Sequence, residues 1–437
     1  MCILSTTVCT LPYLLERASD IDASVRRTVF ARILPELGDF RQLSIGMRVD
    51  VLRCGMTDRD ESVRKAARDM FNNNWVNDVN GDLLELLERL DVASENIEDG
   101  GPTYMALRGF WDARKDVILD LKLDQDFWDG LTVEGSFLAR SFNDYCRTSS
   151  PQDIRKTLEA DECMPEPARL AIYLQRHINK LVMALRNDDE EAVGLEFIVQ
   201  QLLLIAMASD YGDEIGRRGM FALIRECVCI VEMSEPVTKL AVKVLRTLVT
   251  SETDFCLIIL EIIAAIHDAT AEDDFHSAQS NPSHDGAIEG AVAARSDSSR
   301  ATPAHTHTHI PATPPAPITP SQRSRNRMRG MAERDSASDA DMMDVDENDL
   351  GGGMSLEELA VNLKILYIAQ CMLENVVSGM KNNPHLVTML NGLIVPAVRS
   401  QHEVIREAGL MCLGLSCLLD KVHIILLDSP PPLRELD

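Results

Sequence analysis

Five cations recur in register near the start of the chain: Arg26 and Arg27, then Arg64, Lys65 and Arg68. Guanidinium and ammonium groups in a row suit contact with phosphates, which require positive charge and no base-reading group. The same residues equally suit a solvated helix face, or ion pairs with neighbouring acids such as Asp22 and Asp60. Both readings stay open at this level.

A second set of arginines, Arg323, Arg325, Arg327 and Arg329, alternates through RSRNRMRG and precedes an acidic run from Glu333 to Asp349. Such a cluster reads as a nuclear-import signal or a nucleic-acid attachment point, or as one half of a polyampholyte completed by the acidic run. Thr302, Thr313 and Thr319 each precede proline, the minimal site of a proline-directed kinase, and none has a basic residue at the third following position. Phosphorylation there would add about −1.5 to −2 charge per site and offset the nearby arginines. His305, His307 and His309 could offer imidazoles to a metal, but a flexible strand lacks preorganised geometry, and low complexity accounts for the alternation. Neither a metal site nor a cofactor is expected. The chain has no Gly-rich Walker loop, no HExxH and no Gly-x-Ser-x-Gly elbow. Its carboxylates follow solvated helix faces, so it reads as non-enzymatic.

The elements that position the first five cations are amphipathic helices. Asp60 can cap a helix, and Val63, Ala66, Ala67, Met70 and Phe71 recur at the spacing of one buried face. Asp22-Ala-Ser-Val-Arg-Arg repeats the pattern a step of 38 positions earlier, from Asp22 to Asp60. Looser copies begin at Asp213, with Gly216 in place of the apolar residue, at Glu235, and at His402. Acid, apolar residue, base and small residue in this order is the second-helix pattern of HEAT repeats, whose period is about 40–47 residues. One such unit cannot bury its apolar face alone, so neighbouring units stack. The predicted fold is therefore an all-α HEAT-repeat solenoid.

Composition fits that class. Hydrophobic residues make up 45% of the 437 and aromatics only 5%, enough for aliphatic helix–helix contacts. No apolar run is long and charge-free enough to span a bilayer, so no membrane partner is expected. Met1–Thr10 lacks the basic start of a signal peptide. The eleven cysteines, among them Cys54, Cys227, Cys371 and Cys412, show no paired metal spacing and read as buried thiols of a reducing compartment.

Three segments are expected: a first solenoid part over 1–267, a Pro/Ser/Thr/His-rich and then acidic linker over 268–354, and further repeat helices over 355–437. The linker lacks an apolar period and is predicted to remain disordered. A long insertion between stacked helices adds little closure entropy. Gly55 reads as a helix stop, Asn72-Asn-Asn as a break, Trp75 as the start of a further unit, and Asn80-Gly-Asp as a turn capped by Asp82. Ser355 with Glu358 is a capping box. No polar capping repeat is legible at either end, which reads as a partial portion of a longer solenoid.

Residues 19–76 resemble the condensin HEAT subunits of the CAP-G type. The similarity continues through GDLLELLERLDV (81–92), LTVEGSFLARSFNDYCR (131–147), DYGDEIGRRGMFALIRE (210–226) and the stretch 391–418. No single motif is specific, but the order of segments is. The resemblance implies a non-enzymatic condensin subunit that binds the kleisin chain and, with it, grips duplex DNA sequence-independently. The coiled-coil ATPase subunits would be indirect partners, and the setting nucleus and chromosome, with a cytoplasmic phase. The formal charge of −26 argues against indiscriminate polyanion binding. It is unevenly spread, however: Met1–Met70 carries eleven Lys/Arg against ten Asp/Glu. The competing reading is a general HEAT or armadillo adaptor, a nuclear-transport or phosphatase scaffold that holds only protein.

Overall fold

A computed structural model describes residues 10–94, 101–121, 123–148, 163–279 and 354–427, and every regular element among them is helical. The principal helices are α1 (residues 23–37), α2 (Ile45–Met56), α3 (residues 61–78), α4 (Leu83–Leu90) and α5 (Gly101–Ala113). They continue as α6 (Val133–Thr148), α7 (Pro167–Asn187), α8 (Ala192–Ala208), α9 (Glu214–Cys229), α10 (Glu235–Leu248) and α11 (Glu252–Gln279). After the insertion come α12 (Leu356–Glu374), α13 (residues 384–398) and α14 (Glu403–Leu427).

The helices stack as a solenoid. Helices α6, α8, α10, α12 and α14 form one row, each packed on the next, while α7 packs on α9 and α1 on α3. Met1–Asp268 and Met354–Asp437 form a single compact unit, and Ala269–Gly353 falls in another. The linker expected to be disordered from residue 268 is corrected at its start, because α11 continues as helix to Gln279. Its residues 280–353, including Thr302, Thr313, Thr319, the histidines 305–309 and Arg323, Arg325, Arg327 and Arg329, lie outside the described residues.

The sequence pattern builds these helices as its chemistry requires. Asp22 and Asp60 each accept a backbone N–H of the first turn, and Asp82 and Asp213 each accept two, from Leu84 and Glu85 and from Ile215 and Gly216. The turn before Asp82 uses Asn80 and Gly81 at φ 55° and 82°. Ser355 and Glu358 form the reciprocal capping box. Val63, Ala66, Ala67, Met70 and Phe71 are all buried. A buried Val, Met or Phe contributes roughly 1.5–3 kcal/mol each.

Several expectations are corrected. Asn72-Asn-Asn does not end a helix: Phe71–Trp75 is a π-turn through which α3 continues to Asp78. Trp75 starts no unit, since it is buried in α3 and stacks on Phe40 at 5.1 Å. Tertiary burial of Phe71 and Trp75 overrides the weak helix propensity of three asparagines. Gly55 lies inside α2 rather than stopping it, because α1 and α3 cross there. A Cβ would meet Ala67 Cβ at 2.6 Å and Phe30 Cε1 at 2.8 Å. Gly216 breaks the apolar pattern for the same reason, with Pro167 Cβ at 3.0 Å and Ala168 N at 3.1 Å. The copies of the repeat pattern are not all equivalent either, since α9 and α10 pack as consecutive helices of one pair. The outlines at Asp213 and Glu235 therefore sit on opposite members of that pair. Cys227, Cys371 and Cys412 are buried, but Cys54 only partly.

Candidate nucleic-acid interface

Helices α1 and α3 lie side by side, so their cations can be compared position by position from the caps at Asp22 and Asp60. Arg26 and Arg64 occupy the fourth place after the cap, Arg27 and Lys65 the fifth. One residue is roughly 100° around a helix, and that step separates two roles.

At the fourth place the guanidinium turns inward. Arg26 is only 5% exposed, which removes it from the candidate phosphate contacts and corrects that expectation. It holds Asp58 in a two-point pair, Nε to Oδ2 at 2.6 Å and Nη2 to Oδ1 at 2.9 Å. Its Nη1 donates to the carbonyls of Asp20 at 2.8 Å and Ile21 at 3.1 Å. These hydrogen bonds hold the Asp58 carboxyl below its usual range and raise the affinity of Arg26 for its proton. Arg26 thus clamps its own turn to that of the following repeat and has no face left for a phosphate. Arg64 and Arg406 donate to the carbonyl six residues upstream in the same way, from Asp58 and Ser400. Arg64 and Arg68 also share Glu61, whose carboxyl they depress, and both are only half-exposed. The Arg68 stem packs over Gly109. The acids that pair with these cations are therefore Asp58 and Glu61; Asp22 and Asp60 serve as caps.

At the fifth place the side chain points outward. Arg27 and Lys65 are exposed and pair with no carboxylate among the described residues. Both line one open groove between α1 and α3, of about 480 Å³, floored by Phe30 and Met70. Asp69 lines it too, one turn beyond Lys65. Of the five cations, the structure brings these two together as free charges.

Sequence reasoning missed Lys364. It is 7% exposed on α12, and its Nζ donates to Thr238 Oγ1 at 2.6 Å and to the Met233 carbonyl at 2.9 Å. Among the described residues no carboxylate forms an ion pair with it, and burial of the ammonium lowers its pKa to about 8. Its position between Val361, Ile365 and Ile368 on one helix stripe was the available signal. Among the described residues no group of three His, Cys, Asp or Glu could hold a metal, and no helix is long and apolar enough to cross a membrane.

Condensin complex subunit 3 of Schizosaccharomyces pombe is 35% identical over 418 residues, 94% of this chain and 42% of that protein. The chain is a relative of condensin complex subunit 3. The Saccharomyces cerevisiae subunit 3 is 29% identical over 430 residues, 94% of the chain and 38% of its own length. The profile described as nuclear condensing complex subunits, C-terminal domain, matches residues 364–425 and so begins at Lys364. A crystal structure of the S. pombe condensin Cnd3–Cnd2 subcomplex superposes with a TM-score of 0.68 at 32% identity, covering 95% of this chain and 42% of that one. The chain spans less than half the length of these subunit 3 relatives.

Proposed function

We propose that the chain serves as a non-enzymatic HEAT-repeat scaffold in a condensin complex, binding a kleisin subunit and, sequence-independently, duplex DNA. The first partner is supported by likeness to a chain of a two-subunit condensin assembly, Cnd3 with Cnd2. The observation that carries the DNA reading is the pair Arg27 and Lys65, exposed, unpaired and lining one groove. Phosphate recognition needs no more than this arrangement of charge. Arg68 and Arg64, half-neutralised by Glu61, would contribute at the margin. The coiled-coil ATPase subunits would be indirect partners, and the site of action nuclear and chromosomal, with a cytoplasmic interval.

In this reading residues 280–353 are a tether between α11 and α12. Thr302, Thr313 and Thr319 would be cell-cycle phosphorylation sites, and Arg323 to Arg329 an import or attachment cluster. Mass spectrometry of mitotically arrested cells that found all three threonines unmodified would remove that part.

Duplex affinity across a salt series, with and without a kleisin segment, tests the main reading. Binding that falls steeply with salt and is lost in an Arg27→Glu/Lys65→Glu variant is expected. A folded sample that binds kleisin and no DNA would instead establish the protein-only adaptor, which the net charge of −26 favours.

A further inference from the structure

The α1–α3 groove continues past its cations. Asn73 and Asn74 line it about two turns beyond Lys65, roughly 12 Å along the helix. Three consecutive asparagines are unfavourable inside a helix, because their amides compete for the backbone. Asn72 is packed into the interior. Asn73 and Asn74 are not, and their side chains make no hydrogen bond among the described residues. Within the fold, then, they carry a cost with no side-chain hydrogen bond among the described residues in return.

The local backbone explains how both reach the same groove. The π-turn Phe71–Trp75 advances less around the axis per residue than an α-turn, so successive side chains diverge less. The chemistry of the position explains why an amide suits it. Asp69 lies four residues before Asn73, and a lysine or arginine at 73 would form an i,i+4 pair with it. An amide N–H keeps its donor strength beside that carboxylate without becoming an ion pair.

We propose that Asn73 and Asn74 form a second, uncharged contact point for the duplex backbone, donating their amide N–H groups to phosphate oxygens. This rests on the reading of the groove as DNA-binding. A duplex carries one charge per roughly 1.7 Å of axis over both strands, so contacts about 12 Å apart reach different phosphates. Arg27 and Lys65 supply attraction through counterion release, and the asparagines fix how the backbone lies.

Charge and amide contacts leave different signatures in one experiment. Duplex affinity of the full chain is measured by anisotropy over a salt series for wild type, Asn73→Ala/Asn74→Ala and Arg27→Gln/Lys65→Gln. The asparagine variant should bind several-fold to about tenfold more weakly with an unchanged salt slope, since no counterion release is lost. The charge variant should reduce the slope by about two. Asn73→Asp/Asn74→Asp, which keeps side-chain size, should weaken binding more than alanine does. Melting curves should show the alanine variant at least as stable as wild type, because alanine is the better helix former. An unchanged affinity in the asparagine variant, with the charge variant impaired, would overturn the amide contact and leave the DNA reading intact. A changed slope in the asparagine variant would also overturn it. An unaffected charge variant would overturn both. Competition by polyglutamate that depends on Asn73 and Asn74, where duplex binding does not, would assign the amides to an acidic peptide and refute the proposal.

Discussion

Arg26 and Lys364 are both buried cations that tie together segments remote in sequence, and they do so by opposite chemistry. Arg26 meets the carboxylate of Asp58 and two carbonyls. Lys364 meets one hydroxyl and one carbonyl. Where a counter-charge is present, the pair stays ionised through the neutral range, with the acid shifted down and the guanidinium up, away from neutrality. Where it is absent, desolvation dominates and the cation itself moves, to about 8 for Lys364. The planar guanidinium also serves several acceptors at once, whereas the ammonium is a point charge. Similar burial therefore gives one clamp sensitive to acid and another sensitive to base.

The most severe way to break this comparison is Arg26→Ala. It leaves Asp58 buried and unpaired, so the melting temperature should fall by several degrees, as calorimetry would show. The same variant should alter the acid limb. The folded pKa of Asp58 is depressed, so its stabilisation is complete above about pH 4 and disappears as pH falls through the lower folded value. Removing Arg26 should flatten that loss, and an unchanged acid limb would contradict the pairing.

Gly55→Ala probes the same α1–α3 junction by volume instead of charge. The added methyl meets Ala67 and Phe30 and should destabilise by about 1–3 kcal/mol in denaturant titrations. Lys364→Met should be much milder, with a melting temperature equal to or above wild type at pH 7, because a charge with no counter-ion is replaced by a side chain of similar reach. The unfolded lysine titrates near 10.4, so between about 8 and 10 the unfolded state holds more protons and the wild-type term grows with pH. Any advantage of methionine should shrink there by up to about 1.4 kcal/mol per pH unit. A gap that widens would show that Lys364 is not desolvated. The smallest effect expected is from Gly414→Ala, where no atom lies within 4 Å of the new Cβ. It should stabilise by at most about 1 kcal/mol.

The fold was largely legible because its signals are local. Asp60 before an apolar face, Asn80-Gly81 before Asp82, and Ser355 with Glu358 each specify a boundary within a few residues. The site was legible only in part. Arg26 and Arg27 are adjacent and chemically alike, and only Asp58, 32 residues away, decides which turns inward. Gly55 and Gly216 read as a stop and a lapse because close helix crossings leave no mark along the chain. Asn72–Asn74 read as a break because the burial of Phe71 and Trp75 that keeps the helix going is supplied by other elements. Lys364 was overlooked for a related reason: its partners Met233 and Thr238 lie on the far side of the insertion.

The stacking of α1 on α3 has an electrostatic corollary. Packed helices keep their axes about 8–10 Å apart, and the Debye length at physiological salt is about 8 Å. Arg27 on one helix and Lys65 and Asp69 on the next are thus near enough to act as a single multipole in that medium. Diluting the salt would extend the field across further repeats, and concentrating it would reduce each helix to an isolated patch. The repeat spacing makes ionic strength the variable that sets how many repeats a polyanion feels at once.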